Sequence, residues 1–135
     1  MSSRDSSIKP RSAAGAKPDL KGRRILLIED SPVIAPFTVD LLGDLGCTVV
    51  GPAPNMAAAR ALVEEGEFDA ALVDVHIRGE RVFGLCEILD AKNLPFVFTS
   101  GYAGWQLPEK WQDRPRLQKP YTIDQIEEAL GRLFA

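Results

Sequence analysis

The sequence predicts an α/β domain in which five strands, each followed by a helix-length segment, surround a parallel sheet. From Arg23 onward, short apolar runs alternate with amphipathic stretches. The runs are nearly continuous in aliphatic residues, as strands covered on both faces require. A length of 135 residues, 45% hydrophobic and 26% charged, suits one core rather than two.

Each element can be justified in turn. Ile25-Leu26-Leu27-Ile28 is the first strand. Ser31 caps the helix behind it, with Pro32 at the first helical position. Phe37, Leu41, Leu42 and Leu45 form the inward stripe before Gly46 ends the helix, and Pro36 is early enough to be tolerated. Cys47 to Val50 is a second strand, stopped by Gly51-Pro52. Asn55 caps a second helix with Met56, Ala59, Leu62 and Val63 inward, ending around Gly66. Ala70 to Val73 is the third strand, and Asp74 stands at its carboxyl end. A third helix runs from about Val82 to Ala91, with Phe83, Cys86 and Leu89 spaced for burial, and Phe96-Val97-Phe98 is the fourth strand. Two Trp, one Pro and two Gly between Gly101 and Arg114 predict a short or irregular fourth helix. Leu117 lies in a brief fifth strand. Thr122 and Gln125 make a capping box for a last helix with Ile126, Leu130 and Leu133 inward.

The net charge of −3 conceals two unlike regions. Residues 1–24 hold seven Lys/Arg against Asp5 and Asp19, whereas the rest hold nine basic and 17 acidic side chains. Residues 1–22 are rich in Ser, Ala, Gly, Pro and charge and are expected to be a disordered basic extension, an inert leader or expression remnant, with the folded domain spanning 23–135. The acidic body repels phosphates, and no helix-turn-helix module is evident, so nucleic acid is not an expected partner. Neither a signal peptide nor a membrane span is present in the pattern, which places the expected location in the cytoplasm. Cys47 and Cys86 read as reduced core residues, and with His76 as the single histidine a zinc site is excluded.

In an open parallel sheet the functional crevice lies beyond the carboxyl ends of the strands. Here strand one ends in Glu29-Asp30, strand three in Asp74, strand four in Thr99-Ser100 and strand five in Lys119-Pro120. Clustered carboxylates repel unless a cation is supplied, and an oxygen-rich site suits Mg²⁺, with Mn²⁺ as a substitute. An ionised carboxylate can itself be the nucleophile in phosphoryl transfer. Lys119 would then cancel charge on the phosphoryl oxygens and Ser100 would donate a hydrogen bond to one of them.

These four positions, in this order, resemble a response-regulator receiver domain, over about Arg23 to Phe134. The resemblance implies the CheY-like (flavodoxin-like) fold with strand order 2-1-3-4-5. It implies Asp74 as phosphoacceptor, Glu29 and Asp30 as the metal-binding acidic pair, and Lys119 as the phosphate contact. It also implies the backbone carbonyl of His76 as a metal ligand beside Asp74, with the His76 ring a solvated loop side chain. The switch hydroxyl falls five residues after the proline that opens strand four; Pro95 makes it Ser100, with Thr99 as fallback. The position of the usual aromatic switch, three residues before the lysine, is Arg116. Phe98-Thr99-Ser100-Gly101-Tyr102 resembles the Phe-Ala-Thr-Gly-x-Tyr signature of FATGUY single-domain receivers, with Thr and Ser for its Ala and Thr and one residue fewer. The Asp-Val-His-Ile-Arg-Gly-Glu stretch from Asp74 supports that placement.

The resemblance implies phosphoryl transfer from a histidine kinase, with the HWE type as the candidate, or from a phosphotransfer protein, and signalling in general stress response by phosphorylation-dependent contact with a downstream protein or by passing the phosphate to other carriers. The chain would be a phosphoacceptor switch, catalysing only its own phosphorylation and dephosphorylation. Tyr102 is expected to hinder water at the phosphoryl group. Tyr102, Trp105 and Trp111 fit a partner patch or local packing equally, and Arg114 and Arg116 read as solvated rim charges. A pseudo-receiver that is not phosphorylated and a receiver excised from a hybrid kinase are the alternatives. A haloacid-dehalogenase-type phosphatase would need an acid where His76 stands, and neither a Gly-x-Gly-x-x-Gly loop nor a P-loop supports a nucleotide module.

Overall fold

The computed structural model describes residues 19–101 and 107–134. Among these residues the order is β1 (Arg24–Ile28), α1 (Ile34–Asp44), β2 (Thr48–Ala53), α2 (Met56–Glu65), β3 (Ala70–Asp74), β4 (His76–Ile77), β5 (Glu80–Arg81), α3 (Phe83–Ala91), β6 (Phe96–Ser100), β7 (Arg116–Gln118) and α4 (Ile123–Leu133), with a 3₁₀ turn at Glu109–Trp111. Five strands form a parallel sheet in the order β2-β1-β3-β6-β7. Apart from the small antiparallel β4–β5 hairpin, this is the expected 2-1-3-4-5 arrangement.

Strand alternation divides the core between the two faces of this sheet. Leu26, Ile28, Ala71, Val73, Phe96 and Phe98 pack with residues of α2 and α3 and with Trp111. Ile25, Leu27, Leu72 and Val97 pack with residues of α1 and α4. All five residues of β3 are buried, so the middle strand delivers Asp74 into a shielded position at its end. Fully burying each large aliphatic side chain contributes about 1.5–3 kcal/mol, which holds the sheet edge rigid.

Local signals in the sequence act as expected at several ends. Asn55 Oδ1 accepts from Ala58 N at 2.8 Å, and Gly66 closes α2 in the left-handed conformation. Thr122 and Gln125 form the reciprocal capping box of α4. Ser31 Oγ accepts from Val33 N and Ile34 N, although regular helix starts only at Ile34, after Pro32. Both cysteines are free and buried.

Other expectations need correction. Gly51-Pro52 does not stop β2, which continues to Ala53. Pro52 is tolerated because β2 is an edge strand, and the register with β1 shifts between Leu26 and Ile28. Gly51 adopts φ +96°, and an added Cβ would lie 2.9 Å from Ala53 N and 3.0 Å from Leu27 O, so only glycine fits. Of the expected α1 stripe, Leu42 is buried and Leu41 and Leu45 pack against the core, but Phe37 is 41% exposed and Ala35 and Thr38 are buried in its stead. Leu20 is buried and Gly22 N bonds Gly46 O at 2.7 Å, so chain ahead of residue 23 already joins the fold. The rest of the expected extension, residues 1–18, lies outside the described residues. So do residues 102–106 of the expected irregular helix, whose described part is the turn Glu109–Trp111.

The β4–β5 hairpin was not legible as such. Its two-residue turn, Arg78-Gly79, has φ +52° and +81°, the left-handed pair that a tight hairpin turn demands. Ile77 and Val82 flank it and are fully buried, anchoring the hairpin in the core just past Asp74.

Candidate functional site

Four segments meet at the carboxyl edge of the sheet. The β1–α1 loop brings Glu29 and Asp30, β3 ends in Asp74, β6 ends in Thr99-Ser100, and Lys119 follows β7. Glu29 is 1% exposed and Asp74 6%, so two carboxylates are held almost out of water. One oxygen each of Glu29, Asp30 and Asp74 can be chosen so that all three lie within 4.8 Å of one another. Lys119 Nζ stands between two of them, 2.7 Å from Glu29 Oε1 and 2.8 Å from Asp74 Oδ2.

Backbone groups fix the carboxylates further. Ser31 N donates to Glu29 Oε2 at 3.1 Å, His76 N to Asp74 Oδ1 at 3.2 Å, and Arg78 N to Asp30 Oδ2 at 2.8 Å. Lys119 is itself tied back by its N–H to Ser100 O at 2.8 Å. Asp30, Asp74, His76, Gly79, Gly101 and Lys119 line the cleft that opens above these groups.

The electrostatics follow from three acids facing one ammonium. Burial, with Asp74 repulsion added, raises the Glu29 carboxyl above its ordinary value despite the Lys119 contact. Burial alone would lower the Lys119 pKa, but its bonds to Asp74 and Glu29 outweigh that and raise it, so the ammonium stays charged. The surplus of negative charge and the all-oxygen donor set are those of a site for a hard divalent cation, and the three carboxylates fit one by chemistry and proximity.

Thr99 and Ser100 are both buried at the end of β6. The β3–β6 register pairs Asp74 with Thr99, so Ser100 stands one residue further along. By strand alternation position 100 follows Phe98, on the face that carries α2, α3 and Trp111. His76 is half-buried beside Asp74. Arg116 is exposed on β7, with its guanidinium 3.4 Å from Gln112 O. Tyr102 and Trp105 lie outside the described residues.

Trp111 is packing: it is 2% exposed against Phe96 and Phe98. Arg114 is not a solvated rim charge. Its guanidinium stacks on Phe96 and Trp111 at 4.9 and 5.0 Å and pairs with Asp90 at 2.8 Å. Sequence reasoning also passed over Arg78, whose N–H holds Asp30; the Arg-Gly turn pair was the available signal. It passed over Thr38 and Tyr121, whose hydroxyls meet at 2.6 Å inside the core. Nothing in sequence spacing could join residues so far apart.

No protein-family model matches the sequence, and a comparison with curated proteins finds no match. Solved structures do match. The solution structure of SdrG from Sphingomonas melonis Fr1 superposes with a TM-score of 0.77 at 41% identity, covering 84% of this chain and 98% of that one. The BeF3-activated conformation of SdrG from Pseudomonas melonis Fr1 gives 0.73 at 41% identity, over 83% of this chain and 96% of that one. The response regulator PhyR from Brucella abortus gives 0.70 at 27% identity over 84% of this chain and 48% of that longer one. With the sheet order, the acidic cluster and the lysine in their observed places, and identity of this extent over nearly a whole relative, the chain belongs to the response-regulator receiver family, of CheY-like fold.

Proposed function

We propose that the chain is a phosphoryl-accepting switch of a two-component phosphorelay, with Asp74 as acceptor. The observation that carries this is Asp74 at the exit of the buried β3, with Lys119 Nζ 2.8 Å from Oδ2 and two further carboxylates beside it. In the transfer, an Asp74 oxygen attacks the phosphorus of a phosphohistidine on a sensor kinase or phosphotransfer protein. The P–N bond breaks, its electron pair stays on the imidazole nitrogen, and an aspartyl-phosphate remains. The burial of Asp74 limits competing water, and the Lys119 ammonium is placed to neutralise a phosphoryl oxygen.

Glu29, Asp30, Asp74 and the His76 carbonyl would hold Mg²⁺, or Mn²⁺ in its place. The ion supplies the remaining charge neutralisation at the phosphoryl oxygens. Ser100, at the end of β6, is the hydroxyl that would bond the phosphoryl group and report its presence to the α3 side of the sheet, with Thr99 as the substitute. The FATGUY-like run Phe98 to Tyr102 supports a place in stress signalling downstream of an HWE-type kinase, and the PhyR stress response regulator is among the structures of similar fold. The output is a phosphorylation-dependent contact with another protein. Among the described residues no helix is long and apolar enough to cross a membrane.

Intact-mass analysis after incubation with acetyl phosphate and Mg²⁺ tests this reading. One phosphoryl adduct is expected on the parent and none on Asp74→Ala. An unmodified parent would instead leave a protein-interaction module of receiver fold.

A further inference from the structure

We propose that Thr38 and Tyr121 are positioning residues for Lys119, joined in a hydroxyl relay that fixes where its ammonium stands beside Asp74. This rests on the reading of Asp74 as phosphoacceptor.

The contacts form a closed circuit. Tyr121 follows Lys119 by two residues and is 3% exposed. Its hydroxyl lies 2.6 Å from Thr38 Oγ1, and Thr38 is fully buried on α1. Thr38 Oγ1 donates its one proton to Ile34 O at 2.8 Å, so the phenol must be the donor to Thr38. Burial keeps the phenol protonated, raising its pKa above the ordinary value. Ile34 begins α1, and the loop ahead of it carries Glu29, whose Oε1 returns to Lys119 Nζ at 2.7 Å.

The physical need for such a circuit is plain. The lysine side chain has four flexible methylenes, and its backbone is held on the near side by the bond from Lys119 N to Ser100 O. On the far side the loop to α4 would be held by ring packing alone, and packing resists sliding less than a directional hydrogen bond does. The relay supplies that second anchor from α1, the same helix whose entry loop presents Glu29. The acid and the ammonium are thereby referred to one rigid element.

The relay acts through Lys119, which serves the transferring group, and makes no contact of its own with a carboxylate donor. Loosening it is expected to slow transfer far more than it alters metal affinity. Tyr121→Phe, Thr38→Val and Thr38→Ser distinguish this from a purely structural role. At saturating Mg²⁺, Tyr121→Phe and Thr38→Val are expected to lower the rate constant of phosphorylation by acetyl phosphate about tenfold, as small misplacements of a catalytic group do. Thr38→Ser, which keeps the hydroxyl, restores the parental rate. Mg²⁺ affinity by calorimetry changes much less than the rate throughout. In a Lys119→Met background, Tyr121→Phe should have no further effect on rate.

The Lys119 ammonium resonance, followed by NMR in the unphosphorylated protein, should shift in Tyr121→Phe and Thr38→Val and return in Thr38→Ser. A parental rate together with an unmoved ammonium signal in Tyr121→Phe overturns the proposal, even if Thr38→Val does not fold. If the parent is never phosphorylated, the reading of Asp74 fails while the ammonium signal still decides the relay.

Discussion

Replacing Lys119 with Met is the most informative perturbation of this fold. Methionine keeps most of the aliphatic stem and removes the ammonium that pairs with Glu29 and Asp74. Both carboxylates are buried, with side-chain exposures of 1% and 9% at these contacts, and would be left facing each other and Asp30 without compensation. Breaking a buried pair from one side costs about 3–5 kcal/mol, far more than the pair contributes against an apolar replacement of both partners. For a domain of this size that corresponds to a fall in Tm of about 10–20 °C.

The pH dependence has a definite sign. Lys119 has a folded pKa above its ordinary 10.5. Its contribution is therefore complete below that ordinary value and is lost only as pH rises through the folded one, so it is fully present at neutrality. Glu29 is raised above 4.5 by burial. The stability gained from its proton is present below 4.5 and lost as pH rises through the raised value, so ionising this buried acid costs stability. Without the ammonium that cost grows, and the deficit of Lys119→Met should shrink as pH falls from neutral to mildly acid values, where Glu29 takes up its proton. Mg²⁺ should recover part of it at neutral pH. Thermal unfolding followed by circular dichroism, at both pH values and with and without Mg²⁺, reads all three effects. A Tm within about 2 °C of the parent at neutral pH, without metal, would refute the account of this cluster.

Other expectations test the scaffold around the site. Gly51→Ala places a Cβ against Ala53 N and Leu27 O at positive φ, and urea denaturation should show a loss of about 1–3 kcal/mol. Arg114→Ala removes the stack on Phe96 and Trp111 and the half-exposed pair with Asp90; a loss of about 1–2 kcal/mol is expected, with a red shift of Trp111 emission as water reaches the ring. Cys86 is fully buried and its thiol is pushed up to about 12 by burial, so a thiol reagent should modify it only at the rate of unfolding; rapid labelling of the native protein would contradict its placement.

Much of the architecture was legible because it rests on local chemistry. The caps at Asn55 and Thr122, the left-handed close at Gly66 and the aliphatic runs of β1 and β3 each act within a few residues of themselves. Where the reading failed, a distant partner outweighed a local preference. Gly51-Pro52 looked like a stop, yet pairing with β1 carries the strand to Ala53. Phe37 looked like core, yet Thr38 takes the buried place because Tyr121 and Ile34 satisfy its hydroxyl. Arg114 looked solvated, and the rings of Phe96 and Trp111 give its guanidinium a face to lie on.

The sequence by itself determined the order of βα units and therefore which residues reach the carboxyl edge, because an alternating chain of this kind has few ways to close a parallel sheet. It named Glu29, Asp30, Asp74 and Lys119 as neighbours without giving their distances. Only the tertiary structure decided that Lys119 bridges Glu29 and Asp74, that Arg78 N grips Asp30, and that Thr38 and Tyr121 share a bond. Such contacts join segments dozens of residues apart, and their geometry is set by packing against a common sheet rather than by any short-range preference of the chain.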